Sequence, residues 1–175
     1  QMDETTVQVL NEAGRSPTSS SYIWVQRGGP PEQPVVLFDY DPSRSQAVPN
    51  RLLSHYQGWL VTDGYDGYNH LPEGVVRVGC WAHARRKFDE AIKAQGTGKP
   101  GKTGRAHQGL AYIQALYRIE RTAQEQAMSP QARQRLRQQQ AQPVLDTLRA
   151  WLDKSLPQVP PKSAIGKALH YLHHQ

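Results

Sequence analysis

Short apolar runs separated by turn residues fill the first half of the chain. Thr5-Thr6-Val7-Gln8-Val9-Leu10, Tyr22-Ile23-Trp24-Val25 and Val35-Val36-Leu37-Phe38 are rich in β-branched and aromatic residues. Between and after them lie a turn-rich stretch from Asn11 to Ser21, with Gly14 and Pro17, then Gly28-Gly29-Pro30-Pro31 and Asp41-Pro42. Three strands at short spacing, joined by turns, predict an antiparallel meander. After Pro49 the pattern changes: Leu52, Leu53 and Tyr56 have helical spacing and Gly58 is placed as a stop. Trp59-Leu60-Val61-Thr62 predicts a fourth strand ending at Asp63-Gly64. A short helical or turn segment carrying Tyr65 and Tyr68 leads to a fifth at Val75-Val76-Arg77-Val78.

Strand, helix and strand with short links imply a parallel crossover. Three antiparallel strands followed by two parallel ones is the order of a ribonuclease H-like mixed α/β sheet. From Trp81 onward every apolar pattern is helical. Trp81 to Gln95 places Phe88, Ala91 and Ile92 on one face, and Gly96 to Gly109 reads as a Gly/Lys linker. Leu110, Ile113 and Tyr117 mark a second helix, and Pro130 to Gln142 predicts a polar one that Pro143 either kinks or replaces with the next. Val144, Leu145, Leu148, Trp151 and Leu152 form an apolar stripe, and a last helix is expected from Pro161-Lys162-Ser163. That helix reaches Gln175 without a stop signal, and a strand follows almost at once after Gln1. A fragment of a longer protein is therefore expected. The expected division is a sheet core over residues 1–82 and a helical insertion over 83–175.

Charge follows the same division. The 175 residues carry a formal net charge of +6. Residues 1–79 hold 5 Lys/Arg against 9 Asp/Glu, a net of −4, and residues 80–175 hold 16 against 6, a net of +10. An acidic half suits metal or cationic groups; a basic half suits a polyanion such as nucleic acid, or consists of solvated helix faces. No apolar run exceeds four residues, which excludes a membrane span and a secretory signal. The single cysteine, Cys80, has no partner for an internal disulfide, and a reducing, cytoplasmic setting is expected.

Asp3 precedes the first predicted strand and Asp63 ends the fourth. Where those strands are neighbours, the two carboxylates meet at one edge of the sheet and offer hard oxygen ligands to Mg²⁺ or Mn²⁺. His83 and Arg86 share a helix face, with Arg85 beside them, and such a cluster suits phosphate oxygens. Cys80 and His83 have a Cys-x-x-His spacing, but no second ligand pair accompanies it and a buried thiol is the default. Gly96 to Thr103 fits the phosphate-loop pattern GxxxxGK[ST], yet helix precedes it and Pro100 lies inside it, so a charged linker is the better reading. A nucleotide-binding protein is the minor alternative it leaves. Arg118, Arg121, Arg133, Arg135, Arg137 and Arg149 either touch a nucleic-acid backbone or solvate a polar helix.

Met2-Asp3-Glu4-Thr5, Gly58-Trp59-Leu60-Val61-Thr62-Asp63-Gly64-Tyr65-Asp66-Gly67-Tyr68-Asn69 and Gly79-Cys80-Trp81-Ala82-His83-Ala84-Arg85-Arg86-Lys87-Phe88 closely resemble bacterial DDE transposases of the insertion sequence sixty-six family. Leu116 to Glu120 and Pro161 to Ala168 also look like that family, and the matches run in order along nearly the whole chain. The resemblance implies a ribonuclease H-like catalytic core that cuts transposon ends and joins a 3′ hydroxyl to target DNA with Mg²⁺ or Mn²⁺. It makes Asp3 and Asp63 the first two catalytic, metal-binding acids and places His83, Arg85 and Arg86 on phosphate or DNA. The implied third acid lies in an Asn-x-x-Glu-Arg motif after the helical insertion. No such motif occurs here, and Glu90 and Glu120 do not match its surroundings, so the chain alone is expected to be catalytically incomplete. A catalytically dead remnant that still binds DNA is the alternative. DNA ends and target DNA are the implied partners, with room for a homo-oligomer and none for a membrane.

Overall fold

Alternating side chains along a pleated strand set the first element of the computed structural model, which describes residues 1–30, 32–94 and 104–175. Strand β1 spans Met2–Gln8, β2 Ser20–Gly28 and β3 Val35–Asp41. They form an antiparallel sheet in the order β1-β2-β3, with Asp3 opposite Val25 and Trp24 opposite Asp39. β1 begins three residues earlier than the apolar pattern predicts and ends before Val9. Met2 is buried in the core and pairs with Gln26, which draws the start of the strand back. Asp3 therefore lies within the strand and not before it.

Helix α1 (Ala47–Leu52) follows, and Gly58, expected as a helix stop, instead opens strand β4 (Gly58–Thr62). Its φ of 125° is a conformation that glycine adopts without strain. A 3₁₀ turn at Asp66–Tyr68 leads to β5 (Val75–Gly79), which runs parallel to β4.

The two sets of strands were expected to form one mixed sheet. They form a three-stranded antiparallel sheet and a two-stranded parallel one. β1 approaches β4, but among the described residues no ladder joins them. Side chains make the join: Met2, Trp24, Val48, Leu53, Leu60 and Tyr68 share one core. β3 is one of the sheet's two outer strands, and Val35, Val36, Leu37, Phe38 and Tyr40 along it are all exposed.

The chain divides into two compact units, Gln1–Cys80 and Trp81–Gln175. The second is helical: α2 (Trp81–Ala94), α3 (Arg105–Glu125), α4 (Pro130–Leu136), α5 (Gln142–Ser155) and α6 (Ala164–His174). Phe88, Ile113, Leu152 and Leu169 are central to its core. The predicted linker extended to Gly109, but α3 already begins at Arg105. Gly109 is there for close packing: a Cβ at that position would lie 2.3 Å from Phe88 Cε1. The phosphate-loop pattern at 96–103 lies outside the described residues.

Pro143 sits in the first turn of α5, directly after a π-helical turn at Arg137–Ala141 that joins α4 to α5. Proline gives no N–H to the carbonyl four residues back and clashes with it. That carbonyl belongs to Gln139, inside the widened turn, so the helix passes the proline by a change of hydrogen-bond register. The last helix is capped where the sequence predicts, with Ser163 Oγ accepting from Gly166 N–H at 3.1 Å.

Candidate functional site

Asp3 comes from β1 and Asp63 directly follows β4, and a carboxylate oxygen of each lies within 4.8 Å of the other. Residues sixty positions apart in sequence thus meet because β1 and β4 pack side by side in the first unit. Both side chains are half-buried. Asp3 Oδ1 accepts from the backbone N–H of Glu4 at 3.0 Å, and Asp63 Oδ1 accepts from that of Tyr65 at 2.9 Å. The second bond closes an Asx turn that orients the Asp63 carboxylate as the chain leaves the strand.

Arg77, the one charge in the apolar run of β5, braces that strand end. Its Nε donates to Thr62 Oγ1 at 2.9 Å, one terminal nitrogen to Asn69 Oδ1 at 2.9 Å and the other to the Asp63 carbonyl at 2.8 Å. Thr62 Oγ1 in turn donates to the same carbonyl at 3.0 Å. A planar guanidinium fork thereby holds the backbone on both sides of the turn.

Glu4 forms a second support. Its side chain is 1% exposed, and its carboxylate accepts from Arg44 Nε at 2.8 Å and from the Tyr68 hydroxyl at 2.5 Å. Burial pushes the Tyr68 phenol far above the ordinary tyrosine range, and the bond to Glu4 adds to the shift. For Arg44, burial works to lower the pKa, but hydrogen bonding and attraction to Glu4 outweigh it and the net shift is upward. The Arg44 guanidinium also stacks 3.9 Å from the centre of the Tyr65 ring, whose hydroxyl donates to the Arg44 carbonyl. Tyr65 and Tyr68, from the turn after Asp63, are thus tied to β1 and to the loop before α1.

The remaining candidates lie in the helical unit. His83, Arg85 and Arg86 occupy the first turns of α2, with His83 half-buried and both arginines exposed. Arg86 and Lys87 both face Glu90, at 4.0 and 3.7 Å. Glu120 is held by Arg137 at 2.6 and 2.8 Å, a bond that lowers its carboxyl pKa. Both acids that failed to match the third-acid motif are therefore ion-paired within the helices. Cys80 is a buried free thiol just after β5.

Sequence reasoning missed Glu4, Arg44 and Arg77 as supports. Two had signals: an acid alternating with Asp3 along a strand that also buries Met2, and a lone Arg within an otherwise apolar parallel strand. Arg44 had none, because it lies in an irregular loop.

Uncharacterized protein y4jD of Sinorhizobium fredii (strain NBRC 101917 / NGR234) is 32% identical over 184 residues, covering 97% of this chain and 34% of that protein. Uncharacterized protein y4qI of the same strain is 26% identical over 183 residues, covering 97% of this chain and 32% of that protein. The chain spans about a third of the length of the curated relatives it matches. No solved structure matches it. The Transposase IS66 family matches residues 1–175, and the chain belongs to that family.

Proposed function

We propose that this chain is part of the catalytic domain of a DNA transposase, whose full-length form cuts DNA at insertion-sequence ends and transfers the strand to a target. The supporting observation is the convergence of Asp3 and Asp63 from β1 and β4 within a family of transposases. The arrangement of strands around them is read as the first part of a ribonuclease H-like core. Two half-buried aspartates at one strand edge fit a hard divalent cation, Mg²⁺ or Mn²⁺, because carboxylate oxygens are its preferred ligands. When bound, such ions supply an activated water or hydroxyl and stabilise the leaving oxygen of a phosphodiester.

Asp3 and Asp63 hold the ions. The Tyr65 N–H fixes the Asp63 carboxylate, while Arg77 keeps the end of β4 from shifting. On α2, Arg85 and Arg86 present guanidinium forks to phosphate oxygens, joined by His83. The third carboxylate is assigned to neither Glu90 nor Glu120, since the surroundings of neither match the Asn-x-x-Glu-Arg motif and Glu120 is held by Arg137.

In the full-length protein, Asp63→Asn keeps the size of the side chain and its acceptor oxygen but removes its charge. Loss of Mg²⁺-dependent cleavage and strand transfer, with an unchanged circular dichroism spectrum, is the expected result. Wild-type turnover by that variant overturns the assignment. Salt-sensitive DNA binding by a wild-type protein that shows no metal-dependent chemistry identifies a catalytically dead remnant instead.

A further inference from the structure

Two neighbouring cavities in the helical unit share one wall, Tyr117. The first, about 500 Å³, is lined by Arg118, Arg121 and Gln114 from α3 and by Arg85 from α2. Gln114, Tyr117, Arg118 and Arg121 are spaced i, i+3, i+4 and i+7, so they form one stripe along α3. The second cavity, about 520 Å³ and mainly apolar, lies between Trp81, Tyr117 and Leu145 and includes the π-helical turn. Trp81 and Tyr117 remain 37% and 41% exposed.

The arginines of this unit fall into two groups. Arg86, Arg137 and Arg149 each face a carboxylate, of Glu90, Glu120 and Asp153. Among the described residues, no ion pair engages Arg85, Arg118 or Arg121, the three that surround the first cavity. Three guanidinium groups without a carboxylate partner around one concavity leave a local positive charge there, to which an anion is drawn. The cavity beside them offers flat aromatic surface, which a phosphate cannot use. A duplex presents its phosphates outward and keeps its base faces stacked; an unpaired strand presents both together.

We propose that this face of the helical unit binds an unpaired stretch of DNA, with backbone phosphates on Arg85, Arg118 and Arg121 and a base against Tyr117 and Trp81. The proposal rests on the reading of DNA as the partner and adds that the strand is unpaired where it meets these helices. The arginines give salt-dependent attraction to any strand, and Tyr117 gives preference for one whose bases are free.

The test uses the full-length protein carrying Asp63→Asn in a buffer with a chelator, so that no cleavage interferes. Fluorescence anisotropy measures its binding to labelled oligothymidine and to a duplex of equal length over a range of salt concentrations. Replacing Arg85, Arg118 and Arg121 together by Gln should flatten the single-strand log K against log salt slope by about 2, at roughly 0.7 per phosphate contact. Tyr117→Ala should weaken single-strand binding about tenfold or more while barely changing duplex binding, and Tyr117→Phe should restore it. Circular dichroism checks that each variant is folded. An unchanged slope, or equal loss on both probes with Tyr117→Ala, overturns the proposal. If these fail while wild-type protein cleaves and Asp63→Asn does not, the transposase reading stands and this inference alone falls. If they succeed while Asp63→Asn cleaves like wild type, the catalytic assignment falls instead.

Discussion

Tyr68→Phe removes one oxygen from the core of the first unit and gives a direct measure of how the Glu4 network is held. In the native protein the Tyr68 hydroxyl donates to a carboxylate whose side chain is 1% exposed, and Arg44 is the other donor. A hydrogen bond to a charged group contributes about 1.5–3 kcal/mol, and little solvent is available to replace this one. At pH 7 the variant should therefore lose about 2 kcal/mol. The folded-state phenol pKa is raised, so its stabilisation is complete below the unfolded-state value near 10 and declines as pH rises above it. Ionisation in the unfolded chain then draws down the wild type by about 1.4 kcal/mol by pH 11, while the phenylalanine variant has no such ionisation at this position. The gap between the two proteins should shrink to under about 1 kcal/mol at pH 11. Other tyrosines are common to both proteins and cancel in the difference. Urea titrations followed by tryptophan fluorescence at several pH values measure it, since the Trp24 ring meets Tyr68 edge-on at 6.2 Å. A gap that stays constant from pH 7 to 11 would refute the claim that the hydroxyl is held protonated against Glu4.

Two further substitutions probe the braces of each unit. Arg77→Lys keeps the charge but loses the fork that joins Thr62, Asn69 and the Asp63 carbonyl, so on the proposed transposase reading the Mg²⁺ concentration for half-maximal cleavage by the full-length protein should rise about 10–100-fold. Gly109→Ala places a methyl 2.3 Å from Phe88 Cε1 and should cost about 1–3 kcal/mol in thermal or urea unfolding, with Phe88→Leu in the same chain recovering part of it.

The strands and helices were legible because their signals are local. Val75 to Val78, Trp59 to Thr62 and the Ser163 cap each state their structure within a few residues. The start of β1 was not legible, since Met2 enters the strand by burial in a core that forms only when β4 and Tyr68 arrive. Gly109 misled for a related reason: glycine signals freedom in sequence, whereas here it admits the ring of a helix met from elsewhere in the chain. The meeting of Asp3 and Asp63 was expected only on the condition that their strands are neighbours, and the groups around them were not expected at all. Arg44 and Arg77 act through bonds spanning 40 and 14 residues, and no spacing rule connects such positions. Resemblance singled out Asp3 and Asp63, and the coordinates show which groups surround them.

The outer strand β3 has a consequence for handling the protein. It presents Val35, Val36, Leu37 and Phe38 to solvent beside a row of main-chain groups that, among the described residues, no neighbouring strand uses, with Asp39 and Asp41 as the charges along it. Strands of that kind are templates for a further strand. At high concentration, residues 1–175 prepared alone are therefore expected to associate through this edge, and Leu37→Lys is the simplest way to keep them dispersed.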